Sequence, residues 1–389
     1  MKVNLDNIKV IVSCSTKFWA FNLAEELEKY GCLHEFYTTY SSVKNPFFKR
    51  FAKRIDSEKI TPKKIHTNII LAIGLKLIKN PFLWNNIFDR WVARKIKKSN
   101  ADIFIGWSGM SLHSLRAAKK KGMKTILERG SAHIQYQNEI LQEEYQSYNI
   151  RFSINPKVIT KEISEYSEAD YIALPSKFSF NSFVDKGINP EKLIINNYGS
   201  SSQFFKPSNT GDKQKFIIMY FGALMIRKGL KYLFRAIKDL DIPQDKFEVW
   251  FVGGIKDELK DHIEKESEKN WVFTGHVQHK NLSNILSKAS IAVVPSIEDG
   301  FGMVVPQLFS CNIPVIVSEN TGSMDLVEEG KNGFVVPIRN AQAIKNKIQF
   351  IYNEPKKLIE MKRYIKDNPV DLSWDAYGNR YVEFLKSIT

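Results

Sequence analysis

No stretch of the 389-residue chain holds the roughly 18 uninterrupted apolar residues that a membrane-spanning helix needs. The start, MKVNLDNIKVIVSC, lacks the long apolar centre and small-residue cleavage site of a signal peptide, so a cytoplasmic protein is expected. Cysteine is scarce. Cys14, Cys32 and Cys311 are an odd number with no CxxC spacing and sit beside apolar runs, which predicts small buried thiols, and no zinc pattern is present. No GxGxxG follows any apolar run, which argues against a dinucleotide-dependent dehydrogenase. Acidic residues are thin in one place. From Lys44 to Lys98 fifteen Lys or Arg face three acids, a net +12 out of the chain's +15.

That basic segment is interleaved with Phe47, Phe48, Phe51, Phe82, Trp84, Phe88 and Trp91. Cations mixed with aromatics suit an anionic membrane surface. They equally suit a solvated basic face whose aromatics pack inward. No nucleic-acid-reading motif accompanies them, so nucleic acid is not expected as a partner.

What the chain has in quantity is apolar residues, 43% of the total, in short β-rich runs. Strands are predicted at Ile8–Ser13, LHEFYTT, Ala101–Trp107, Lys124–Glu128, Ala169–Ser176 and Lys192–Gly199, with helical stretches between them. The polar run from Ser200 to Gln214 reads as a linker. The alternation then restarts, with strands at Phe216–Gly222, Phe247–Gly254, Trp271–Val277, Ile291–Ser296, Pro314–Ser318 and Gly333–Pro337. Strands alternating with helices mean α/β architecture: two doubly wound parallel-sheet domains facing a central cleft. The expected division is 1–205, 206–370 and a C-terminal amphipathic helix, 371–389, bearing Trp374, Tyr377, Tyr381 and Phe384.

Ligands of such sheets bind beyond the carboxyl ends of the strands, so the residues directly after each strand are the candidates. Gly222 ends one strand, and Arg227-Lys228-Gly229 opens the next helix. Two cations oppose the helix dipole there unless an anion such as a diphosphate joins them; as solvated surface cations they would need none. His276 and Val277 follow another strand, where backbone groups could meet a nucleobase. Asp299-Gly300-Phe301-Gly302 forms a tight turn before a helix from Met303, and Gln307 lies eight residues beyond Asp299. Asp299 suits sugar hydroxyls and Gln307 a ribose diol, or the two mark an ordinary capped strand–helix junction. His133, in LERGSAH, stands where a loop of the first domain would face the cleft. The one Asp-x-Asp, Asp239-Leu240-Asp241, lies between a helix and a strand and reads as a solvated turn, so no metal site is assigned.

Taken together, ADYIALPSKFSFNSFVDKGINPEKLIINNYGSSSQFFKP, FGALMIRKG, IAVVPSIEDGFGMVVPQ and GSMDLVEEGKNGFVVP resemble glycosyltransferase family 4. The likeness is strongest from Ala169 to Thr389. It implies the GT-B fold, with two Rossmann-like domains and the last helix crossing back to the first. It implies a hexosyl transferase that retains anomeric configuration, uses a UDP- or GDP-sugar as donor, needs no cofactor or metal, and acts on a glycan or lipid-linked acceptor in surface polysaccharide or glycoconjugate assembly. By the same likeness Arg227 and Lys228 meet the diphosphate and Asp299 and His133 the donor sugar. Gly222, His276, Val277, Gly300, Phe301, Gly302, Met303 and Gln307 complete the donor site.

The chain departs from the family where Asp299 and Gln307 replace two glutamates, with Glu298 one place early, and where Ala223 replaces an arginine. A non-catalytic relative that binds glycan or a partner transferase, and a GT-B sugar-nucleotide epimerase, are the alternatives. A location on the inner membrane face is expected for the basic segment.

Overall fold

The structure, a computed structural model, describes residues 8–16, 18–39, 41, 59–68, 70–71, 73–74, 80–200, 205–208 and 215–389. Of the basic segment 44–98, residues 44–58 (with Phe47, Phe48 and Phe51), 69, 72 and 75–79 lie outside the described residues, as does most of the expected linker.

Seven strands form the first sheet: β1 (Val10–Ser13), β2 (Leu33–Thr38), β3 (Ile65–Thr67), β4 (Ile103–Trp107), β5 (Lys124–Glu128), β6 (Tyr171–Leu174) and β7 (Leu193–Ile195). Six form the second: β8 (Phe216–Phe221), β9 (Phe247–Val252), β10 (Trp271–Gly275), β11 (Ile291–Val294), β12 (Val315–Ser318) and β13 (Gly333–Val336). Their orders are β3-β2-β1-β4-β5-β6-β7 and β10-β9-β8-β11-β12-β13. Every pairing is parallel. Strands such as Val-Ile-Val-Ser and Ile-Ala-Val-Val are buried at every position, which is what helices on both faces require. The sheets are thus the two doubly wound units expected. β3 is an addition: three residues inside the basic insertion, too short to stand out by pattern.

The first unit's helices are α1 (Ala20–Lys29), α2 (Pro81–Ile96), α3 (Leu112–Lys120), α4 (Ile134–Gln146), α5 (Pro156–Glu168) and α6 (Lys177–Val184). The second unit carries α7 (Leu230–Lys238), α8 (Lys260–Glu266), α9 (His279–Leu286), α10 (Val304–Ser310), α11 (Ala341–Asn353) and α12 (Pro355–Asp367). The last helix, α13 (Trp374–Ile388), returns to the first unit. Its Tyr377, Tyr381, Val382 and Leu385 are buried in the core that holds Val10, Leu23 and Phe36. Gly378 lets it approach α1; a Cβ there would stand 2.6 Å from the Glu26 Cβ.

α4 does the reverse. It follows β5 in the chain, yet Ile140, Leu141 and Tyr145 are buried with Leu233, Phe234 and Ile344 of the second unit. Hydrogen bonds reinforce the packing: Arg339 donates to the Glu144 carboxylate at 2.9 Å and to the Ile140 carbonyl at 3.1 Å.

The three cysteines are buried free thiols. No helix among the described residues is long and apolar enough to cross a membrane.

Candidate active site

In the second sheet the chain order reverses between neighbouring strands β8 and β11. Loops at such a switch point splay apart and open a crevice at the strands' carboxyl ends. The two loops that leave these strands are Gly222–Gly229 and the turn from Glu298 to Met303.

The first loop is built tightly. Gly222 has φ +139° and faces α10, with the Val304 side chain 3.8 Å from where its Cβ would lie. Leu224 N–H donates to the Gly254 carbonyl at 3.0 Å, tying the loop to the end of β9. A 3-10 turn over Ile226–Lys228 follows, closed by Gly229 at φ +67°. A Cβ on Gly229 would lie 2.0 Å from the Pro295 carbonyl oxygen, so both its backbone and its surroundings demand glycine. The turn is fastened from below, where Ile226 N–H donates to the Glu258 carboxylate at 2.9 Å. Tyr145 of α4 donates to the same carboxylate at 2.9 Å.

The second loop meets the first through two consecutive ion pairs. Lys228 is paired with Asp299, and Arg227 with Glu298 at 2.8 Å. The Ile297 N–H also donates to the Arg227 carbonyl at 2.9 Å, so backbone and side chains keep the same register. Lys228 and Asp299 are 19% and 18% exposed in their side chains, shielded yet open at one edge to solvent. Burial alone would raise the Asp299 carboxyl. The charges of Lys228 and Arg227 outweigh it and hold Asp299 below the ordinary carboxylate value. The other Asp299 oxygen accepts from the Gly302 N–H at 3.0 Å, closing the Asp-Gly-Phe-Gly turn.

Glu298 is fully buried. Besides Arg227, its carboxylate accepts from the Ser131 hydroxyl at 2.6 Å, the Ala132 N–H at 3.3 Å and the Gln137 amide at 2.9 Å. Ser131 and Ala132 lie in the β5–α4 loop and Gln137 in the first turn of α4. Burial works to raise this carboxyl too, and Arg227 with the Ser131 and Gln137 hydrogen bonds holds it below its usual value.

The remaining candidates are placed unequally. Gly300 lies against the first unit, and its carbonyl accepts from Ser176 at 2.7 Å and Ser179 at 3.2 Å. Phe301 turns its ring away from the crevice. It is 2% exposed among first-unit core residues, edge-on to Tyr198. Gly302, at φ +76°, keeps room beside Thr321 and Ser323. Met303 is half-buried against the first unit. Gln307 is half-buried on α10, its amide without a hydrogen bond among the described residues. His276 is exposed just after β10, with Val277 half-buried beside it.

His133 is 2% exposed. Its ring lies between Tyr166 and Phe183, 5.0 Å from each, and its Nδ1 accepts from the Gln135 N–H at 3.3 Å as the N-cap of α4. Burial, then the Arg129 guanidinium, pushes its pKa down to about 4. In this arrangement it is a neutral capping residue, outside the ring of groups that converge on Lys228 and Asp299.

Pattern reading missed Ser131, Gln137, Ser176 and Glu258 as parts of this site. One signal was present: adjacent cations at 227 and 228, adjacent acids at 298 and 299. The Asp239-Leu240-Asp241 stretch lies apart, and no cluster of metal-ligating side chains occurs among the described residues.

Residues 201–368 match the family model for glycosyl transferases, group 1. A glycosyltransferase of Methanocaldococcus jannaschii described as uncharacterised is 26% identical over 53% of this chain and 55% of its own. The capsular polysaccharide biosynthesis glycosyltransferase CapM of Staphylococcus aureus is 24% identical over 60% of each chain. The first of these alignments spans about half the relative's length. Sucrose-phosphate synthase from Thermosynechococcus elongatus superposes with a TM-score of 0.70 at 15% identity, covering 98% of this chain and 99% of that one. Anabaena HepE in complex with UDP gives 0.68 at 16%, covering 98% and 100%. These neighbours share the fold, two Rossmann-like domains of GT-B type.

Proposed function

We propose that the chain transfers a hexosyl group from a nucleotide diphosphate sugar to a glycan or lipid-linked acceptor, with retention of configuration, in surface polysaccharide assembly. The observation that carries this is the Lys228–Asp299 pair at the β8/β11 switch point, a cation for the leaving diphosphate beside an acid for sugar hydroxyls. HepE was solved with UDP and with UDP-glucose, which favours a UDP-sugar as donor. The relatives CapM and a protein of the Klebsiella pneumoniae cps region favour capsule-type glycans.

In this reading diphosphate oxygens accept from Lys228 and from the outward Nη1 of Arg227, and Asp299 turns to the sugar. Countercharge comes from these side chains rather than from a metal or cofactor. Gly222 leaves room beside α10 for the nucleotide. His276 and Val277 border the base, and Gln307 the ribose.

A second reading has one observation behind it. Both cations already have internal acid partners, as a non-catalytic glycan-binding relative would have. A donor screen separates the two: UDP-, GDP-, ADP- and CMP-sugars, followed by thermal shift and slow nucleotide release, with Lys228→Ala alongside. One nucleotide sugar that stabilises the wild type and is hydrolysed, with both effects gone in the variant, supports the transferase. No binding to wild type moves the chain to the second reading.

The acceptor side would rest on an anionic inner membrane face. Ile70, Ile73, Leu83 and Ile87 are exposed apolar side chains, and Arg90, Arg94, Lys95, Lys97 and Lys98 follow on or just past α2. Replacing these cations should release the protein from anionic vesicles, and unchanged binding would remove the membrane from the proposal.

A further inference from the structure

Glu298 stands between the two units, and the transferase reading gives it no role. A fully buried carboxylate is expensive unless every lone pair is used. Here the partners come from both sides of the cleft. Arg227 belongs to the second unit; Ser131 and Ala132 lie in the β5–α4 loop of the first, and Gln137 in the first turn of α4, whose far end packs on the second. The first-unit side is itself braced. Gln137 also donates to the Ser131 hydroxyl at 2.9 Å, and Arg129 donates to the Gln137 carbonyl oxygen at 2.9 Å while paired with Glu162 at 2.9 Å. A continuous polar chain therefore runs from Glu162 through Arg129, Gln137 and Glu298 to Arg227.

Arg227 is held twice by the same residue. Its Nε and Nη2 donate to the Glu298 carbonyl at 3.2 and 3.1 Å, and Nη2 also meets the carboxylate. These bonds take one edge of the guanidinium. Nη1 has no partner among the described residues, and the side chain is 28% exposed. The carbonyl alone would keep this orientation, so the carboxylate adds two other things: charge neutralisation of Arg227 and the link to the first unit.

We propose that Glu298 is a positioning residue, a latch whose single carboxylate joins the two units in their closed arrangement and moderates the charge of Arg227. This rests on the transferase reading only for the identity of the anion that Arg227 meets. Opening the cleft separates Glu298 from Ser131 and Ala132 of the β5–α4 loop and leaves Arg227 as its one charged partner. Closing it restores a full set of hydrogen bonds. Closure is therefore favoured by a group that never touches the sugar.

The latch makes a prediction that a structural role would not. Glu298→Gln keeps shape and the Arg227–carbonyl bonds but removes the charge. UDP or GDP should bind it several-fold more tightly, because Arg227 is no longer neutralised. Turnover should fall by up to about 100-fold, because the closed arrangement is no longer held in register. Donor KM and kcat thus fall together. Amide exchange measured on the full chain should rise at 130–137 and not in the β1 and β12 cores. Ser131→Ala and Gln137→Ala should lower kcat with unchanged nucleotide affinity, and should add nothing in the Glu298→Gln background.

Weaker nucleotide binding together with slower turnover in Glu298→Gln would overturn the latch, as would unchanged exchange at 130–137 or simple additivity. A variant that does not fold shifts the decision to Ser131→Ala and Gln137→Ala, where unchanged kcat and unchanged exchange at 130–137 overturn it. A wild type that binds no nucleoside diphosphate sinks the transferase reading instead, and the exchange experiment still decides the latch.

Discussion

Gly300 rests directly on Gly130: a Cβ on Gly300 would lie 2.3 Å from the Gly130 carbonyl oxygen and 2.6 Å from the Ser131 Cα. The acidic turn of one unit and the β5–α4 loop of the other meet backbone to backbone. Gly300→Ala would force the units apart by about 1 Å without straining its own φ. A misplacement of that size in a reacting site costs roughly 100-fold in rate. Transfer activity of Gly300→Ala should fall by that order, and overpacking against backbone should lower stability by about 1–3 kcal/mol. A variant as active as wild type would show that this contact does not set the reacting geometry.

The Lys228–Asp299 pair separates binding from turnover. Asp299→Asn removes the partner of Lys228 and leaves the ammonium free for phosphate. Nucleoside diphosphate affinity, read by calorimetry, should hold or rise, whereas transfer should drop by about 100-fold or more. Lys228→Ala should lose both. Because both side chains are less than a fifth exposed, removing one partner should also lower stability, by about 1–3 kcal/mol.

Glu128 ends β5 buried, and burial pushes its carboxyl up to about 7 even with the Tyr381 and Tyr377 hydroxyls of α13 beside it. The folded state therefore holds a proton that the unfolded chain, at about 4.5, releases. Stability falls as pH rises from about 4.5 to 7, by roughly 3 kcal/mol in all, and the cost stays fully present above that. Glu128→Gln abolishes the titration. Its denaturation midpoint relative to wild type should climb between pH 5 and pH 8. A constant difference would show that Glu128 titrates at its ordinary value.

His133 gives the opposite slope. Its folded pKa of about 4 lies below the ordinary 6.5, so the unfolded chain takes up a proton that the folded one refuses. Stability rises with pH from about 4 to 6.5, by roughly 3 kcal/mol. His133→Asn keeps an acceptor at the N-cap and cannot charge. At pH 7 it should be less stable by about 1–2 kcal/mol through lost ring packing on Tyr166 and Phe183. That deficit should shrink or reverse toward pH 4. A deficit independent of pH would place the imidazole in contact with solvent.

Much of this architecture is legible in the sequence, because parallel strands covered on both faces must be uninterrupted β-branched runs. Val10–Ser13, Ile291–Val294 and Val315–Ser318 announce themselves. β3 does not, since three edge residues carry too little pattern. The neighbourhood of Lys228 and Asp299 is legible for a similar reason: function gathers after strand ends, and those positions can be counted. The burial of His133 is not, because it depends on Tyr166 and Phe183 arriving from elsewhere in the chain. Nor is the tie between Ser131 and Glu298, which are 167 positions apart. Phe301 shows the same limit. Its place in the turn can be read, but its side chain belongs to the other unit's core.

The path of α4 bears on how the chain can be divided. Its Ile140, Leu141 and Tyr145 are sequence neighbours of β5, yet their apolar partners are α7 and α11. A cut at residue 205 would strip the C-terminal piece of that covering and leave the N-terminal piece displaying an orphaned greasy helix. Both fragments would be poor candidates for soluble expression. A chimera that grafts a foreign first half onto this second half should keep residues 134–152 from this chain, crossing over in the loop before α5. In that sense the helix is inherited with one half of the molecule and read out by the other.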